Sequence, residues 1–337
     1  MWHRMQREYR IDNLRAMAIL LVMLGHAIII YDPNWTVAAT EVQCQPLFCL
    51  KQLINIIQMP LFFSISGFCF CLSRRQSFCR ELFWGKVKRI MIPYFLVCLL
   101  YMDPIKMLLQ VPGYGFTWKL PLKQLCLFMD NGHLWYLPTL FLMFLVTSFF
   151  LGKKGGMKPI YALSLFSVVL FALSGKVPAY FSLNQFSTFY VYFLGGYIIC
   201  HYKEKVFGRC VVGFVMLAVS MALGLLLDDI GSGAVEKGAS LALSSCAVVG
   251  AYCLAASRKI GFLQQVSKDS YGLYLFHSPL IYFMFMKWPD AHPALMLGVN
   301  FLVCGLVGWG VVRVVREVGL GIVIGEKLPS KMRQAAS

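Results

Sequence analysis

Acidic side chains are scarce. Asp and Glu number 15 against 31 Lys and Arg in 337 residues, and charged residues make up 14% of the chain. A soluble domain carries about 25% charged residues, so an ordinary water-soluble globule is excluded. The chain also lacks a Gly-rich phosphate loop and any Cys/His spacing of a metal site. No metal ligands are therefore assigned. No small-x-small cleavage site follows Ile30, so the opening basic and apolar stretch reads as a retained first helix. There is no repeat, no long linker, and no catalytic domain appended after Arg316. Residues 1–337 read as a single transmembrane domain.

Apolar residues are abundant, at 59% of the chain with a mean hydropathy of +0.68. Runs long enough to span occur near 14–31, 52–72, 87–103, 134–151, 159–175, 186–202, 209–227, 237–257, 271–287 and 294–315. Their length and helical period argue against a β-barrel. The expected class is all-α: a polytopic integral membrane protein of about ten transmembrane helices. The net charge of +16 first suggests nucleic acid. Its distribution argues otherwise, because most Lys and Arg fall in alternate loops, such as Arg74, Arg75, Lys88 and Arg89 after the second run. That is the positive-inside bias. It predicts both termini in the cytoplasm, an even number of spans and no nucleic-acid partner. The twelve cysteines lie mostly within apolar runs, as small hydrophobes do. Cys44, Cys49 and Cys126 fall outside, and the spacing leaves a bridge among them open. The outer segment 104–133 is rich in Pro and Gly, and apolar enough to lie on the membrane.

The first run carries Asp12, Arg15 and His26. At 100° per residue, Arg15 and His26 fall about 20° apart after three turns, with Asp12 on the same stripe. Arg15 then sits at the cytoplasmic surface and His26 about 16 Å further in, near mid-membrane. Asp12 can be read as capping the helix start and Arg15 as obeying the positive-inside rule. His26 is read either as a neutral, hydrogen-bonded structural residue or as a base at the end of a tunnel. A buried ionisable group in a membrane usually faces a partner or a cavity, and imidazole is the commonest general acid/base.

These residues also carry a resemblance. "IDNLR" (11–15) followed by "AILLVMLGHA" (18–27) resembles the first helix of the membrane-bound acyltransferase family 3. The resemblance continues in "QMPLFFSISGFCF" (58–70), "KVKRIMIPYFL" (86–96), "GHLWYLPTLF" (132–141) and "YGLYLFHSPL" (271–280), five blocks in the family's order. The pattern is most similar to the stand-alone branch related to sugar O-acetylases, although Gln58 stands where that branch commonly has His. The resemblance implies a multi-pass enzyme of the bacterial cytoplasmic membrane. It would move an acyl group, typically acetyl from cytoplasmic acetyl-CoA, to a hydroxyl of a glycan or lipid-linked sugar, with no permanently bound cofactor. It implies catalytic roles for His26 and Arg15, and more weakly for Asp12.

O-acylation needs a base for the attacking hydroxyl and stabilisation of the tetrahedral oxyanion. His26 is the candidate base, or a covalent acyl relay. Arg75, Arg89, Arg74 and Lys88 are the candidates for the donor's phosphates, which suit the bidentate guanidinium fork. His133, Trp135 and Tyr136 are expected at the outer mouth of the fourth helix, either as an aromatic belt or as a sugar-stacking platform. His277 is expected about two turns into the ninth helix, as a residue bonded at the Pro279 kink or as part of the site. Glu41, close after the first helix, is a candidate to polarise His26. Ser64, Ser66 and Gly67 are read as small residues that let helices pack closely. The competing class is a proton-coupled transporter using His26.

Overall fold

The structure is a computed structural model. It describes residues 8–73, 76–115, 117–152, 156–226 and 233–326. Every regular element among them is helical. In chain order these are α1 (Tyr9–Ala27), α2 (Gln45–Cys71), α3 (Arg80–Leu108), the short α4 (Lys119–Cys126), α5 (Gly132–Leu151), α6 (Met157–Leu173), α7 (Leu183–His201), α8 (Cys210–Leu226), α9 (Ala234–Leu254), α10 (Gly261–Lys287) and α11 (Pro293–Glu317). Wider π turns interrupt α3 at Val87–Met91 and Cys98–Met102, and α11 at Val299–Val303.

Six of these helices are long and apolar enough to cross a membrane: α2, α3, α5, α6, α9 and α11. That is fewer than the ten spans read from the sequence. The physical reason is informative, because α1 and α10 fall short while carrying Asp12, Arg15 and His26, and Asp269 and His277. Those two helices lie inside the bundle. On α10 the residues from Leu273 to Pro279 are all buried, and α1 packs along it, with its own Ile19 and Val22 buried. The apolar surface lies instead on peripheral helices, with Leu165 and Phe166 on α6, Val211 and Phe214 on α8 and Leu306 on α11 exposed. In water such a belt would be a liability; a bilayer is the solvent that suits it.

Small residues set the closest helix crossing. Gly67 on α2 meets the Phe193 carbonyl of α7, and Gly196 on α7 meets the Ser64 carbonyl of α2, so a Cβ on either would strike backbone. This is the close approach expected of small residues at a membrane helix interface. At the opposite edge, the buried Asp269 of α10 accepts from Arg316 Nη1 (2.7 Å) and Trp309 Nε1 (2.7 Å) of α11 and from Gln265 Nε2 (2.6 Å). Arg316 also grips Glu326 (2.7 Å). This folds the stretch after α11 back until Gly325 lies against the Arg89 carbonyl, where a positive φ and the absence of a Cβ are both required.

Several local expectations are corrected. Asp12 does not cap α1: the N-cap is Glu8, and Asp12 lies in the first turn. The apolar run past His26 is not one helix. It breaks after Ala27 into a 3-10 turn at Ile29–Tyr31, so His26 stands in the last turn of α1 rather than midway along it. Lys88 and Arg89 belong to α3, not to the loop before it. All twelve cysteines are free, so no bridge joins Cys44, Cys49 and Cys126.

Candidate functional site

Three histidines from three helices converge. His26 closes α1, His133 lies in the 3-10 turn that opens α5, and His277 lies within α10. Their ring centroids are 5.1 Å apart for His26–His277, 5.8 Å for His133–His277 and 6.5 Å for His26–His133. His277 stands about 24 Å along α10 from Gly261 at 1.5 Å per residue, far deeper than the two turns expected, because α10 begins well before the apolar run at 271.

Hydrogen bonds assign the protons. His277 Nδ1 lies 2.7 Å from the Leu273 carbonyl, which can only accept. Nδ1 therefore carries the hydrogen, and Nε2 of the neutral ring holds a lone pair. That lone pair faces His26 Nδ1 at 2.9 Å. His26 Nδ1 must then donate, which leaves the lone pair of His26 on Nε2. A buried histidine thus holds a second one with its Nε2 lone pair free, the orientation a carboxylate gives the histidine of hydrolase triads.

His133 is held by a different device. Pro279 has no N–H, so the Leu275 carbonyl one turn earlier loses its helical partner. His133 Nε2 donates to that carbonyl at 3.1 Å. The residue satisfying the Pro279 kink is therefore His133 and not the adjacent His277. Its Nδ1 is left buried without a hydrogen-bond partner. Tyr274 donates its hydroxyl to the His133 carbonyl. This turn is interior rather than part of an interfacial aromatic belt, since His133 and Tyr136 are buried and Trp135 packs on Phe63 and Phe189.

His26 and His133 open onto a cavity of about 560 Å³, whose walls include Trp35, Tyr114, Trp135 and Tyr282. Lys106 lines it as well. Burial pushes the Tyr114 phenol up, so it stays a hydroxyl, accepting from Lys106 Nζ (3.1 Å) and donating to the Asp130 carbonyl (3.0 Å). A second cavity, of about 440 Å³, lies at the Arg15 end of α1. Arg15, Lys86, Arg89 and Lys268 line it together with Tyr271 and Glu326. Lys86 Nζ sits 3.1 Å from the Phe144 ring centroid, a cation–π seat. Arg15 Nη2 donates to Cys69 Sγ (3.2 Å), and Nη1 lies 3.5 Å from Asp12 Oδ1. Two buried phenols pack together beside the histidines, Tyr274 lying 5.6 Å from His133 between ring centroids. Tyr136 shares a hydrogen bond with Ser66 Oγ (2.8 Å) and packs on Tyr274 at 5.5 Å between centroids.

Of the expected residues, the structure joins His26, His133 and His277 in one cluster and places Trp135 on the same cavity. Arg15 and Arg89 share the other cavity. Asp12 reaches Arg15 and accepts from Ser267 Oγ (3.4 Å). Lys88 is exposed and outside that cavity, whereas Lys86, two residues earlier, lines it. Arg74 and Arg75 lie outside the described residues. Glu41 does not meet His26: it lies on an exposed loop with its backbone N–H on Asp290 Oδ1 (2.7 Å), and His277 occupies the partner position. Gln58 packs against Gly25, the residue before His26, since a Cβ on Gly25 would lie 2.8 Å from Gln58 Oε1. Lys106 and Tyr114 were missed. The signal for Lys106 was present as an Asp and a Lys three residues apart, Asp103 and Lys106, where an apolar run ends. Among the described residues no group of three or more His, Cys, Asp or Glu side chains, the histidine cluster included, is placed to hold a metal ion.

A family model described as an acyltransferase domain, that of acyltransferase family 3, matches residues 8–313. No curated protein and no solved structure matches.

Proposed function

The chain belongs to the acyltransferase family 3 and is a multi-pass membrane acyltransferase, and from that premise we propose that it moves an acetyl group from cytoplasmic acetyl-CoA to a hydroxyl of a glycan or lipid-linked sugar. The observation that carries this reading is the lone pair left on His26 Nε2 by the Leu273–His277–His26 chain of hydrogen bonds. In the proposed reaction the acceptor hydroxyl enters the 560 Å³ cavity and gives its proton to that nitrogen as its oxygen attacks the thioester carbonyl. The tetrahedral intermediate collapses with loss of the CoA thiolate, which takes the proton from His26. Aromatic walls suit a sugar ring.

The basic cavity at Arg15, Lys86 and Arg89 suits the phosphates of CoA, and the positive-inside bias supports putting that end in the cytoplasm, together with both termini. In this reading ten helices cross the bilayer, α1 and α10 among them as the polar, enclosed ones. Arg74 and Arg75, between α2 and α3 in sequence, are candidates for the same phosphates by residue type alone. The acyl arm passes Tyr136 and Tyr274 to reach His26. The family match gives no support to a transporter.

The test is release of CoA from labelled acetyl-CoA by the purified protein in lipid discs, with and without added sugar acceptors. Acceptor-dependent release that vanishes in His26→Ala supports the reading. Solute uptake without turnover overturns it. A labelled acyl group trapped on His26 after acid quench would replace the base by a covalent relay.

A further inference from the structure

Two buried lysines, Lys106 (1% exposed) and Lys51 (5% exposed), act electrostatically on His26. Lys51 Nζ is held by Asn55 Oδ1 at 2.7 Å and does not line the cavity. Lys106 does. Its ammonium has one hydrogen-bond partner, the Tyr114 hydroxyl at 3.1 Å, and lies over the rings of Tyr114 (4.2 Å) and Tyr282 (4.5 Å). Among the described residues no carboxylate comes within 4.0 Å of it. Asp103, one turn back and buried, acts on Lys106 electrostatically without contacting it, its Oδ1 accepting from Gln124 Nε2 (3.0 Å). Asp130, the carboxylate in the cavity lining, is taken by Lys123 (3.1 Å). Room for the ammonium is kept by Gly132, where a Cβ would come within 2.7 Å of Nζ and where φ is +51°.

A buried ammonium with no carboxylate in contact is only partly compensated by a carboxylate one turn away. Among the described residues two of its three N–H groups have no hydrogen-bond partner, and the cavity is where they can be reached. We infer that the acceptor carries a negative charge near its reactive hydroxyl, as a sugar bearing a carboxylate or phosphate, and that the Lys106 ammonium is its counter-ion. This rests on the His26 cavity being the acceptor site, and it deepens that reading by naming the substrate class. An anionic substituent seated on Lys106 places the sugar between the aromatic walls, with a hydroxyl toward His26. The lysine pairs as a point charge, so it accepts either anion without demanding one geometry.

The test is binding, read without turnover. His26 of the full-length protein in lipid discs is modified with diethylpyrocarbonate, and its modification rate is followed by peptide mass spectrometry. The probes are methyl glucoside, glucuronate, glucose 1-phosphate and inorganic phosphate. Glucuronate or glucose 1-phosphate should protect at concentrations about tenfold below those needed for methyl glucoside, and Lys106→Met should remove the difference. The proposal is overturned if the neutral sugar protects as well, if neither charged sugar protects, or if inorganic phosphate alone does as well as the sugar phosphate. A Lys106→Met protein that keeps the preference also overturns it. The wild-type comparison stands alone if that variant does not fold. Absence of His26-dependent CoA release would refute the acyltransfer reading while leaving this preference readable; loss of the preference with turnover intact refutes only the role of Lys106.

Discussion

Replacing His277 by phenylalanine tests whether one imidazole orients another. Phenylalanine has a flat ring of similar size, so packing of the buried position against Gly308 is largely kept. What disappears is the Nε2 acceptor 2.9 Å from His26 Nδ1. His26 is then free to swap tautomers or turn away, and its Nδ1–H loses its partner just when the ring must become positive. A hydrogen bond to a charged group contributes about 1.5–3 kcal/mol, so the rate of acyl transfer should fall by roughly ten- to a hundredfold. Donor affinity should hardly move, because the basic cavity lies at the other end of α1. His277→Gln restores an acceptor oxygen near the same place and should recover most of the loss. The assay is CoA release at saturating donor and acceptor, with the unfolding midpoint measured alongside. An unchanged rate in His277→Phe would refute the orienting role. Equal impairment of His277→Gln and His277→Phe, with both folded, would show that the site needs the ring and not its lone pair.

His26→Ala should insert and fold yet lose about 10²–10⁴-fold in transfer, the usual contribution of a positioned base; retention of most activity would remove His26 from the chemistry. Arg15→Lys keeps the charge and loses the planar fork, so weaker acetyl-CoA binding by isothermal titration is expected, and unchanged affinity would leave Arg15 a topology signal. Arg89→Ala should likewise raise the donor KM, and vesicles of either orientation should turn over acetyl-CoA only from the face bearing Arg89; equal use from both faces would sink the sidedness. Gly196→Val should destabilise the bundle by at least about 1–3 kcal/mol, the cost of overpacking, because a Cβ there meets the Ser64 carbonyl. The neighbouring Gly195→Ala, with nothing near its Cβ, should leave the thermal midpoint in place.

Much of the site was legible in local pattern. The eleven-residue spacing of Arg15 and His26 puts them on one stripe of any α-helix, and the structure keeps that stripe, with Arg15 lining one cavity and His26 the other. The tilt of His26 toward chemistry came from the cost of an imidazole in an apolar run. The reading went astray where a helix end or a partner depends on distant chain. Nothing within 14–31 says that the helix stops after Ala27, because the residues beyond it are as apolar as those before. Glu41 was close in sequence and so drew the role of polarising His26; the partner that fills that position, His277, is 251 residues away.

Composition and periodicity alone determined a helical membrane protein and the stripe on its first helix, and the resemblance of five ordered blocks pointed to the family that the family model then showed. These are properties of single segments and their order, and a bilayer forces backbone hydrogen bonds to close within each helix. Only the tertiary structure decided which histidines meet, which nitrogen of His26 keeps its lone pair, and that Pro279 frees a carbonyl for His133 to bind. It also decided that Lys106 lies on the cavity of His26 while Lys88 lies outside the cavity of Arg15. Those outcomes depend on how α1, α3, α5 and α10 lean on one another. A three-dimensional crossing of that kind is set by small residues and buried side chains spread over the whole chain, such as Gly67 and Gly196, and no single window of sequence contains it.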